Sequence, residues 1–300
     1  MLYIRVPAST SNLGAGFDTF GLALSLYNEF TVEVAECYTV TMEGEGKNLP
    51  RDERNLFIRV YKRACQVFGY KEMPFKLHQK NSIPTARGLG SSSTAIVGGL
   101  LAFEGIHGKK LSLEEKLAVA FEFEPHPDNL LPALVGGFVV CAVDEKVYFV
   151  KLDFPQEVHV ALAVPDFELS TEEARAVLKR EVDLKDAIFN IQRASLFIAS
   201  VVTRNLHLLK EATKDKLHQP YRSKLIPGFE DVIQTAYEFG AYAAFLSGAG
   251  PSIASLCHKD RAKEVAEGMC KAFSKHSVTA KPLVLAVEPY GSTLTSMTLE

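Results

Sequence analysis

Residues 83–94 read Ile83-Pro84-Thr85-Ala86-Arg87-Gly88-Leu89-Gly90-Ser91-Ser92-Ser93-Thr94 and stand directly before an apolar run. Gly88 and Gly90 can adopt positive φ, so the backbone can approach a ligand closely. The N–H groups of the helical turn that follows have no partner within the helix, and together with the helix dipole they attract an anion. Hydroxyls at 91–94 can donate to phosphate oxygens or bind a hard cation such as Mg²⁺. The stretch therefore predicts a phosphate-binding loop that begins a buried helix.

This stretch differs from two well-known phosphate loops. No lysine follows Gly90, which argues against a Walker loop. The third glycine of a dinucleotide fingerprint would stand at position 93, which is serine, so hydride transfer is disfavoured. Taken alone, the stretch is equally compatible with an ordinary loop whose serines cap a helix.

Two further glycine-rich loops favour a phosphate-binding loop over an ordinary helix-capping loop. The first follows an alternating apolar stretch at the start of the chain and reads Pro-Ala-Ser-Thr-Ser-Asn-Leu-Gly-Ala-Gly-Phe-Asp at 7–18. The other reads Leu-Ser-Gly-Ala-Gly-Pro-Ser-Ile at 246–253. Each loop joins a short apolar run to an amphipathic run. All three can contribute to one composite ligand site if the chain folds back on itself.

In order and spacing, the three loops resemble the three motifs of the GHMP family of small-metabolite kinases. The chain resembles the family further at His126-Pro127-Asp128-Asn129, at 171–175 and at 221–227. One departure is Pro125, which stands where the family has glycine before the histidine and which removes a backbone N–H. The resemblance implies an ATP- and Mg²⁺-dependent kinase that phosphorylates the side-chain hydroxyl of L-homoserine. Two alternatives stay open: another kinase of the family, of mevalonate, shikimate or sugar type, and a non-catalytic metabolite-binding relative.

The resemblance also implies which residues bind the nucleotide and the metal. Glu122 matches the magnesium glutamate of the family, with Ser92 as the hydroxyl ligand, although an exposed helix glutamate is the ordinary alternative. Asn55 matches an asparagine beside the adenine, and it could equally cap the helix that begins there. The predicted nucleotide contacts are Asn55, Pro84, Thr85, Ala86, Arg87, Gly88, Leu89, Gly90, Ser91, Ser92, Ser93 and Thr94.

Homoserine carries an ammonium, a carboxylate and a hydroxyl, so its site needs acids, fixed cations and polar positioning groups. By resemblance, Arg175 and Arg222 hold the substrate carboxylate, a task that suits the guanidinium fork. Asp18 and Asp128 match acidic positions around the amino group. Outside these motifs, each arginine would be an exposed surface charge. The predicted substrate contacts are Asn12, Asp18, Asp128, Arg175, Arg222, Gly248 and Gly250.

The catalytic set implied by the resemblance is Glu122, Ser92 and Asn129. The amide of Asn129 stands near the position where mevalonate kinase-type relatives have a catalytic aspartate, and an amide cannot accept the hydroxyl proton. His126 resembles a structural residue of the family. Because phosphoryl transfer passes through a loose transition state, positioning and charge neutralisation can supply most of the catalysis without a dedicated base.

Bulk composition narrows the possible partners. The 300 residues are 47% hydrophobic and 23% charged, with a net charge of -3, as in an ordinary globular protein. No basic stretch is long enough to follow a nucleic-acid backbone. No apolar run approaches a membrane span, and the start of the chain lacks the pattern of a secretory signal. The five cysteines show no paired spacing and predict buried thiols in a reducing cytoplasm. The family resemblance adds a homodimer.

Helical and strand periodicities alternate along the chain and predict an α+β protein of two domains. A boundary is expected at 153–156, where a hairpin ends and a new apolar strand begins. The resemblance implies a ribosomal-protein-S5-like domain at 1–154, which binds ATP, and a ferredoxin-like domain at 155–300, which completes the substrate cleft. One helix is expected at 113–123, because Ser112 and Glu115 form a capping-box pattern.

Overall fold

The computed structural model describes residues 1–297. Two mainly antiparallel sheets and the helices packed against them form the molecule, in agreement with the predicted α+β class. The strands are β1 (Leu2–Ser11), β2 (Phe20–Val34), β3 (Thr39–Gly44), β4 (Phe75–Asn81), β5 (Phe138–Val143), β6 (Val147–Leu152), β7 (Val158–Pro165), β8 (Ala243–Leu246), β9 (Ile253–His258), β10 (Ala280–Leu285) and β11 (Thr293–Ser296). The helices are α1 (Leu56–Phe68), α2 (Ser91–His107), α3 (Leu113–Ala120), α4 (Pro127–Val135), α5 (Thr171–Ala176), α6 (Leu184–Val202), α7 (Leu209–Ala212), α8 (Gln219–Arg222), α9 (Phe229–Glu238) and α10 (Ala262–Ser274).

The first sheet has the strand order β11-β1-β2-β4-β3, with β5 and β6 extending from the other end of β2. The long strand β2 makes this possible, because its start pairs with β5 and its second half pairs with β4. Only the β3–β4 pair is parallel among the pairs described. Helices α1 and α2 cover one face, and Phe57, Tyr61 and Leu100 are fully buried against it. Burial of these side chains orients α2 so that its first turn is available to a ligand.

The second sheet is antiparallel throughout, with the order β10-β7-β9-β8. Helices α9 and α10 pack on one face, where Val265, Met269 and Phe273 are fully buried. A central cluster that includes Phe20, Phe138 and Phe197 joins the other face to the first sheet and to α6. The two sheets therefore share a continuous apolar core below the loops that connect them.

The end of the described chain returns to the first sheet. Strand β11 pairs antiparallel with β1, with Leu2 opposite Ser296 and Arg5 opposite Thr293. The second sheet lies entirely within 158–285. The division into 1–154 and 155–300 stays a prediction, and the structure adds that residues near the C-terminus complete the N-terminal sheet.

Candidate active site

The three glycine-rich loops meet at one place. The Ser247 hydroxyl donates to the carbonyl of Gly88 at 2.7 Å and lies 2.8 Å from the Thr10 hydroxyl. The backbone N–H of Gly248 donates to the carbonyl of Ser11 at 3.2 Å. A Cβ at Gly88 would lie 2.0 Å from the Ser247 carbonyl oxygen, so only glycine permits this approach. The structure thus brings together the loops that the sequence predicts to form a composite site.

A cleft of about 940 Å³ runs between these loops. The phosphate loop at 84–93 lines it together with two groups of polar residues. One group comes from the segment 44–59 and from strand β4, and the other from the first and third loops, α4, α5 and α8. The cleft is large enough for a nucleotide and a small second substrate.

The phosphate loop presents an uncapped helix end to this cleft. Gly90 precedes α2 with φ of 73°, and no side chain caps the first turn of that helix within the described chain. The first turn also holds no acidic residue, while Ser92 is exposed and Ser91 is half-buried. Because the N–H groups and the helix dipole are uncompensated, this end is suited to bind an anion.

Thr94 differs from the other predicted phosphate contacts. Its hydroxyl donates to the carbonyl of Ser91 at 2.6 Å and accepts from the Asn28 amide at 2.9 Å. The side chain is fully buried and does not line the cleft. The prediction that Thr94 contacts the nucleotide is therefore corrected: Thr94 holds α2 against strand β2.

Leu89 and Arg87 also shape the loop through their side chains. The Leu89 side chain is buried in the central core, and its carbonyl accepts from the backbone of Ser9 at 3.1 Å. The Arg87 guanidinium donates to three carbonyls, those of Pro165, Thr85 and Asp166, at 2.8, 2.8 and 2.9 Å. These two side chains fix the loop, while its backbone and its serines remain to bind phosphate.

Asn55 was predicted either to contact the adenine or to cap a helix, and in the structure it caps α1. Its side-chain oxygen accepts from the backbone of Phe57 at 3.0 Å, which caps α1. Its amide NH₂ donates to the carbonyl of Pro50 at 3.0 Å and to the Gln79 oxygen at 2.9 Å. Both NH₂ hydrogens of Asn55 are therefore used, and its oxygen keeps one lone pair that could accept from a base in the cleft.

Glu122 does not lie in the cleft, which corrects its predicted role as metal ligand and catalytic residue. Helix α3 ends at Ala120, earlier than the sequence predicts, and the chain then turns. This turn directs Glu122 to the surface, where the side chain is 43% exposed and pairs with Arg63 at 2.6 Å. Glu124 lines the cleft instead, and its carboxylate lies 2.6 Å from Nδ1 of His126. That hydrogen bond raises the pKa of His126 above its usual value.

Asn129 connects the first loop to the phosphate loop. Its side-chain oxygen accepts from the Ser9 hydroxyl at 2.8 Å, and its NH₂ group donates to the Ser11 hydroxyl at 3.2 Å. A Cβ at Gly90 would lie 3.5 Å from the same Asn129 oxygen. Asn129 is thus fixed beside the phosphate loop, in a position to orient groups rather than to remove a proton.

The first loop contributes Asp18 to the second group of residues that line the cleft. Asp18 receives two hydrogen bonds from Arg175, at 2.7 and 3.2 Å. The Asn12 oxygen accepts from the backbone of Asp18 at 3.0 Å, and its NH₂ group donates to the carbonyl of Gly248 at 3.1 Å. Asn12 and Asp18 both have positive φ, of 71° and 54°. Backbone strain of this kind persists where surrounding contacts hold a functional loop in one shape.

Arg222 is a buried cation in the same group of residues as Asp18. It is 1% exposed, and it donates to the carbonyls of Ala174 at 3.0 Å and Gly248 at 3.4 Å. Within 1–297 no carboxylate forms an ion pair with it at 4.0 Å or less. Burial and the charge of Arg175 lower its pKa to about 10. A buried guanidinium without an anion is suited to bind an anionic ligand group.

Asp128 supplies the complementary charge. It is 4% exposed, and burial together with the charge of Asp18 raises its pKa to about 6. Gly250, with φ of 86°, lines the cleft nearby as part of the third loop. The cleft therefore offers both acidic and basic groups to one small zwitterionic molecule.

Four residues of the site were not predicted from the sequence. Phe17 and His218 pack behind the arginines, Gln79 lines the cleft beside Asn55, and Glu124 replaces Glu122. Phe17 stands inside the first motif and Glu124 is two residues from the predicted glutamate, so both had a positional signal. Gln79 and His218 had none, because Gln79 lies in an ordinary strand pattern and His218 lies before a short helix, outside the three glycine-rich motifs.

Comparison with known proteins agrees with this geometry. The model for the GHMP kinase N-terminal domain matches residues 55–137, and that for the GHMP kinase C-terminal region matches residues 197–275. A homoserine kinase from Aquifex aeolicus (strain VF5) is 53% identical over 92% of this chain and 93% of its own length. One from Persephonella marina (strain DSM 14350 / EX-H1) is 44% identical over 98% of each.

Solved structures give the same result. The crystal structure of homoserine kinase from Cytophaga hutchinsonii ATCC 33406 has a TM-score of 0.88 and 28% identity, covering 98% of this chain and 97% of that one. Mevalonate kinase of L. major, at 14% identity and a TM-score of 0.75, shares the fold. The chain belongs to the GHMP kinase family. Its relatives at 53 and 44% identity are homoserine kinases, the branch that the motifs predict, and the predicted two-domain kinase fold is confirmed.

Proposed function

We propose that the protein transfers the γ-phosphate of ATP to the side-chain hydroxyl of L-homoserine, producing O-phospho-L-homoserine for threonine biosynthesis. One observation carries the proposal. An uncapped helix end and a buried guanidinium without a carboxylate partner, Arg222, line the same cleft. The first suits a polyphosphate, and the second suits the carboxylate of an amino acid.

The second group of residues has the charges that an amino acid requires. Arg222 binds the substrate carboxylate, with Arg175 alongside, and Asp128 and Asp18 accept from the ammonium group. The carbonyl of Gly248 accepts from Arg222 and from the Asn12 amide, and the Asn12 oxygen accepts from the backbone of Asp18. Mevalonate, galactose and shikimate lack an ammonium group, so each would leave the buried Asp128 without a cationic partner.

The phosphates bind at the start of α2. The N–H groups and hydroxyls of Ser91, Ser92 and Ser93 bind the phosphate oxygens, while Pro84, Thr85 and Ala86 line the approach. The segment 44–59 borders the remaining part of the cleft, which accommodates the ribose and base. The side chains of Arg87 and Leu89 fix this loop, and both residues line the cleft with the rest of it.

Mg²⁺ fits the donors present, and we include it in the proposal. Among the carboxylates and hydroxyls that line the cleft, Glu124 and Ser92 would be the ligands, in place of the predicted pair of Glu122 and Ser92. Within 1–297 no cluster of three or more histidine, cysteine or acidic side chains could hold a metal alone. Magnesium at a nucleotide site needs only one or two protein ligands beside phosphate oxygens and water. When bound, the ion neutralises charge on the phosphates.

The reaction needs no dedicated base. The substrate hydroxyl attacks the γ-phosphorus in line, the bond to the β-phosphate oxygen breaks, and the proton passes to phosphate or solvent. Asn129, held by Ser9 and Ser11, orients groups beside the phosphate loop and cannot take this proton. Nδ1 of His126 is held by the Glu124 carboxylate, and the family resemblance gives His126 a structural role. Catalysis comes from positioning and charge neutralisation.

We also propose a cytoplasmic homodimer without nucleic-acid or membrane partners. The net charge of -3 supports the absence of nucleic acid, and the five free thiols support a reducing compartment. No described helix is long and apolar enough to cross a membrane. The dimer rests on family resemblance and is checked by light scattering.

A coupled ADP-release assay over a panel of alcohols tests the substrate. L-homoserine is expected to give the largest kcat/KM, ahead of mevalonate, galactose and shikimate. Stronger turnover of mevalonate or shikimate would overturn the amino-acid substrate while leaving the kinase assignment intact. ADP release with none of the alcohols would favour a non-catalytic binding role.

A further inference from the structure

Behind Arg222 lies a histidine that the reaction itself does not use. His218 is fully buried and stands at the residue before α8, four positions before Arg222. Its Nε2 lies 2.8 Å from the carbonyl oxygen of Gly14, and its Nδ1 lies 3.4 Å from Nη1 of Arg222. The imidazole therefore bridges the first loop and the substrate cation.

Both partners require the same tautomer. A carbonyl oxygen can only accept, so Nε2 carries the hydrogen and donates it to Gly14. A guanidinium can only donate, so Nδ1 must be the unprotonated acceptor for Arg222. Burial and the charge of Arg222 also lower the pKa of His218, although Asp215 opposes them. The ring is thus a neutral acceptor beside a cation.

The carboxylate of Asp215 lies 3.5 Å from Nε2 of His218, but it has closer partners. Its oxygens accept from the backbone N–H groups of Leu217, His218 and Gln219 and from the amide of Asn190, at 2.7 to 3.1 Å. These contacts fix the turn before α8. Because they occupy both oxygens, the carboxylate serves as a cap rather than as the partner of Arg222.

Phe17 holds the other side of the imidazole. The two rings stack at 4.8 Å between centroids with an interplanar angle of 17°. The same Phe17 ring lies 5.2 Å from the Arg222 guanidinium and 5.5 Å from that of Arg175. The stacked rings lie beside the guanidinium groups of both arginines and limit the positions that these groups can adopt.

We propose that His218 is a positioning residue, which orients Arg222 for the substrate carboxylate while leaving the arginine's positive charge uncompensated. The inference rests on the proposed function, since it takes that carboxylate to be the one of L-homoserine. A carboxylate at position 218 would pair with Arg222 and compete with the substrate. An apolar residue would remove one of the acceptors of Arg222 and would leave the carbonyl of Gly14 without the donor at Nε2. A neutral donor-acceptor avoids both outcomes.

Kinetics of two variants test this role. Glutamine can donate to Gly14 and accept from Arg222, whereas leucine can do neither. His218→Leu is expected to raise KM for L-homoserine by about tenfold or more, the scale of one lost hydrogen bond to a charged group, with KM for ATP nearly unchanged. His218→Gln is expected to restore most of the difference. A parallel rise of both KM values in a folded His218→Leu variant, or identical behaviour of the two variants, would overturn the proposal.

A spectroscopic measurement covers the case in which the variants fold poorly. In the unmutated protein, ¹⁵N–¹H spectra of the histidine rings are expected to show one slowly exchanging, neutral Nε2–H tautomer from pH 5.5 to pH 8. A Nδ1–H tautomer or a protonated ring at this position would contradict the assignment. Failure of the unmutated protein to phosphorylate L-homoserine would instead count against the proposed function, so the two failures are distinguishable.

Discussion

Arg175 forms a two-point ion pair with Asp18, with Nη2 to Oδ1 at 2.7 Å and Nη1 to Oδ2 at 3.2 Å. The pair joins α5 to the first glycine-rich loop across 157 residues of sequence. It also places an internal cation and anion in the part of the cleft where we propose that the zwitterionic substrate binds. The carboxylate and ammonium groups of an amino acid can add to this pair so that positive and negative groups alternate. Each charged group then keeps a neighbour of opposite charge when the substrate binds.

Asp18→Asn tests this arrangement. The change removes the anion that Arg175 and the substrate ammonium share, so KM for L-homoserine is expected to rise by about tenfold or more, with KM for ATP little changed. Steady-state kinetics with each substrate varied in turn measure both values. Asp231→Asn, which removes a surface contact with His276, is the matched control. A variant with normal homoserine KM would remove Asp18 from the substrate site.

Glu124 lines the cleft and is the proposed metal ligand, whereas Glu122 lies at the surface. Glu124→Gln is expected to lower kcat by about 10²-fold and to raise the Mg²⁺ concentration needed for half-maximal rate, because a charged oxygen ligand is lost. Glu122→Gln, at an exposed ion pair with Arg63, is expected to change neither value appreciably. Mg²⁺ titrations of both variants decide between them. The opposite ranking would return the metal site to Glu122.

The titration of Asp128 is expected to lower kcat/KM for L-homoserine at acidic pH. Only the ionised carboxylate attracts the substrate ammonium, and burial raises its pKa to about 6. The value of kcat/KM for L-homoserine is therefore expected to fall as pH decreases through about 6, by about tenfold per pH unit further down. The measurement is a profile from pH 5 to pH 8.

The Glu124 carboxylate raises the pKa of His126, so a second group near Asp128 also titrates as the pH changes. Asp128→Asn distinguishes the two groups, since it should give a low value of kcat/KM without the limb that Asp128 produces. Persistence of the full limb in Asp128→Asn would assign it to His126 instead.

Two glycines with nearly the same backbone angle allow a test of the loop junction. Gly88 has φ of 76° and Gly69 has φ of 74°, but a Cβ would meet the Ser247 carbonyl at 2.0 Å in the first case and nothing within 4 Å in the second. Gly69→Ala is expected to lower the free energy of unfolding by about 1–2 kcal/mol, the cost of the left-handed conformation. Gly88→Ala adds about 1–3 kcal/mol of overpacking.

Denaturant unfolding measures both alanine variants. Gly88→Ala should also lose activity, because the second and third loops move apart. Equal stability losses for Gly69→Ala and Gly88→Ala would contradict the close junction of these loops.

Local sequence signals predicted the elements around the site well. Ser112 and Glu115 form the expected capping box at the start of α3, and the serines after Gly90 begin α2. Both signals act within one helical turn, so they are independent of the rest of the chain. Helical periodicity runs through 184–213, but the structure has two helices there, α6 and α7, separated by a turn in which Arg204 has φ of 59°. Apolar periodicity continues through that turn and conceals it.

Long-range relationships were not predictable in the same way. Strand β11 carries no signal that it pairs with β1, because pairing depends on the fold of the whole chain. The contact of His218 with Arg222 lies within one short segment, yet its meaning depends on Gly14 and Phe17 from the first loop. The directions of Glu122 and Glu124 were likewise set by where α3 ends, and element ends are weakly encoded.

The identity of the reaction product tests the central claim most directly. Incubation with ATP, Mg²⁺ and L-homoserine, followed by ³¹P NMR and mass spectrometry, is expected to show a phosphomonoester on the side-chain oxygen, with the ammonium and carboxylate groups unmodified and one ADP formed per product. A phosphorylated carboxylate or amine, or ADP formed together with inorganic phosphate and unchanged L-homoserine, would contradict the account.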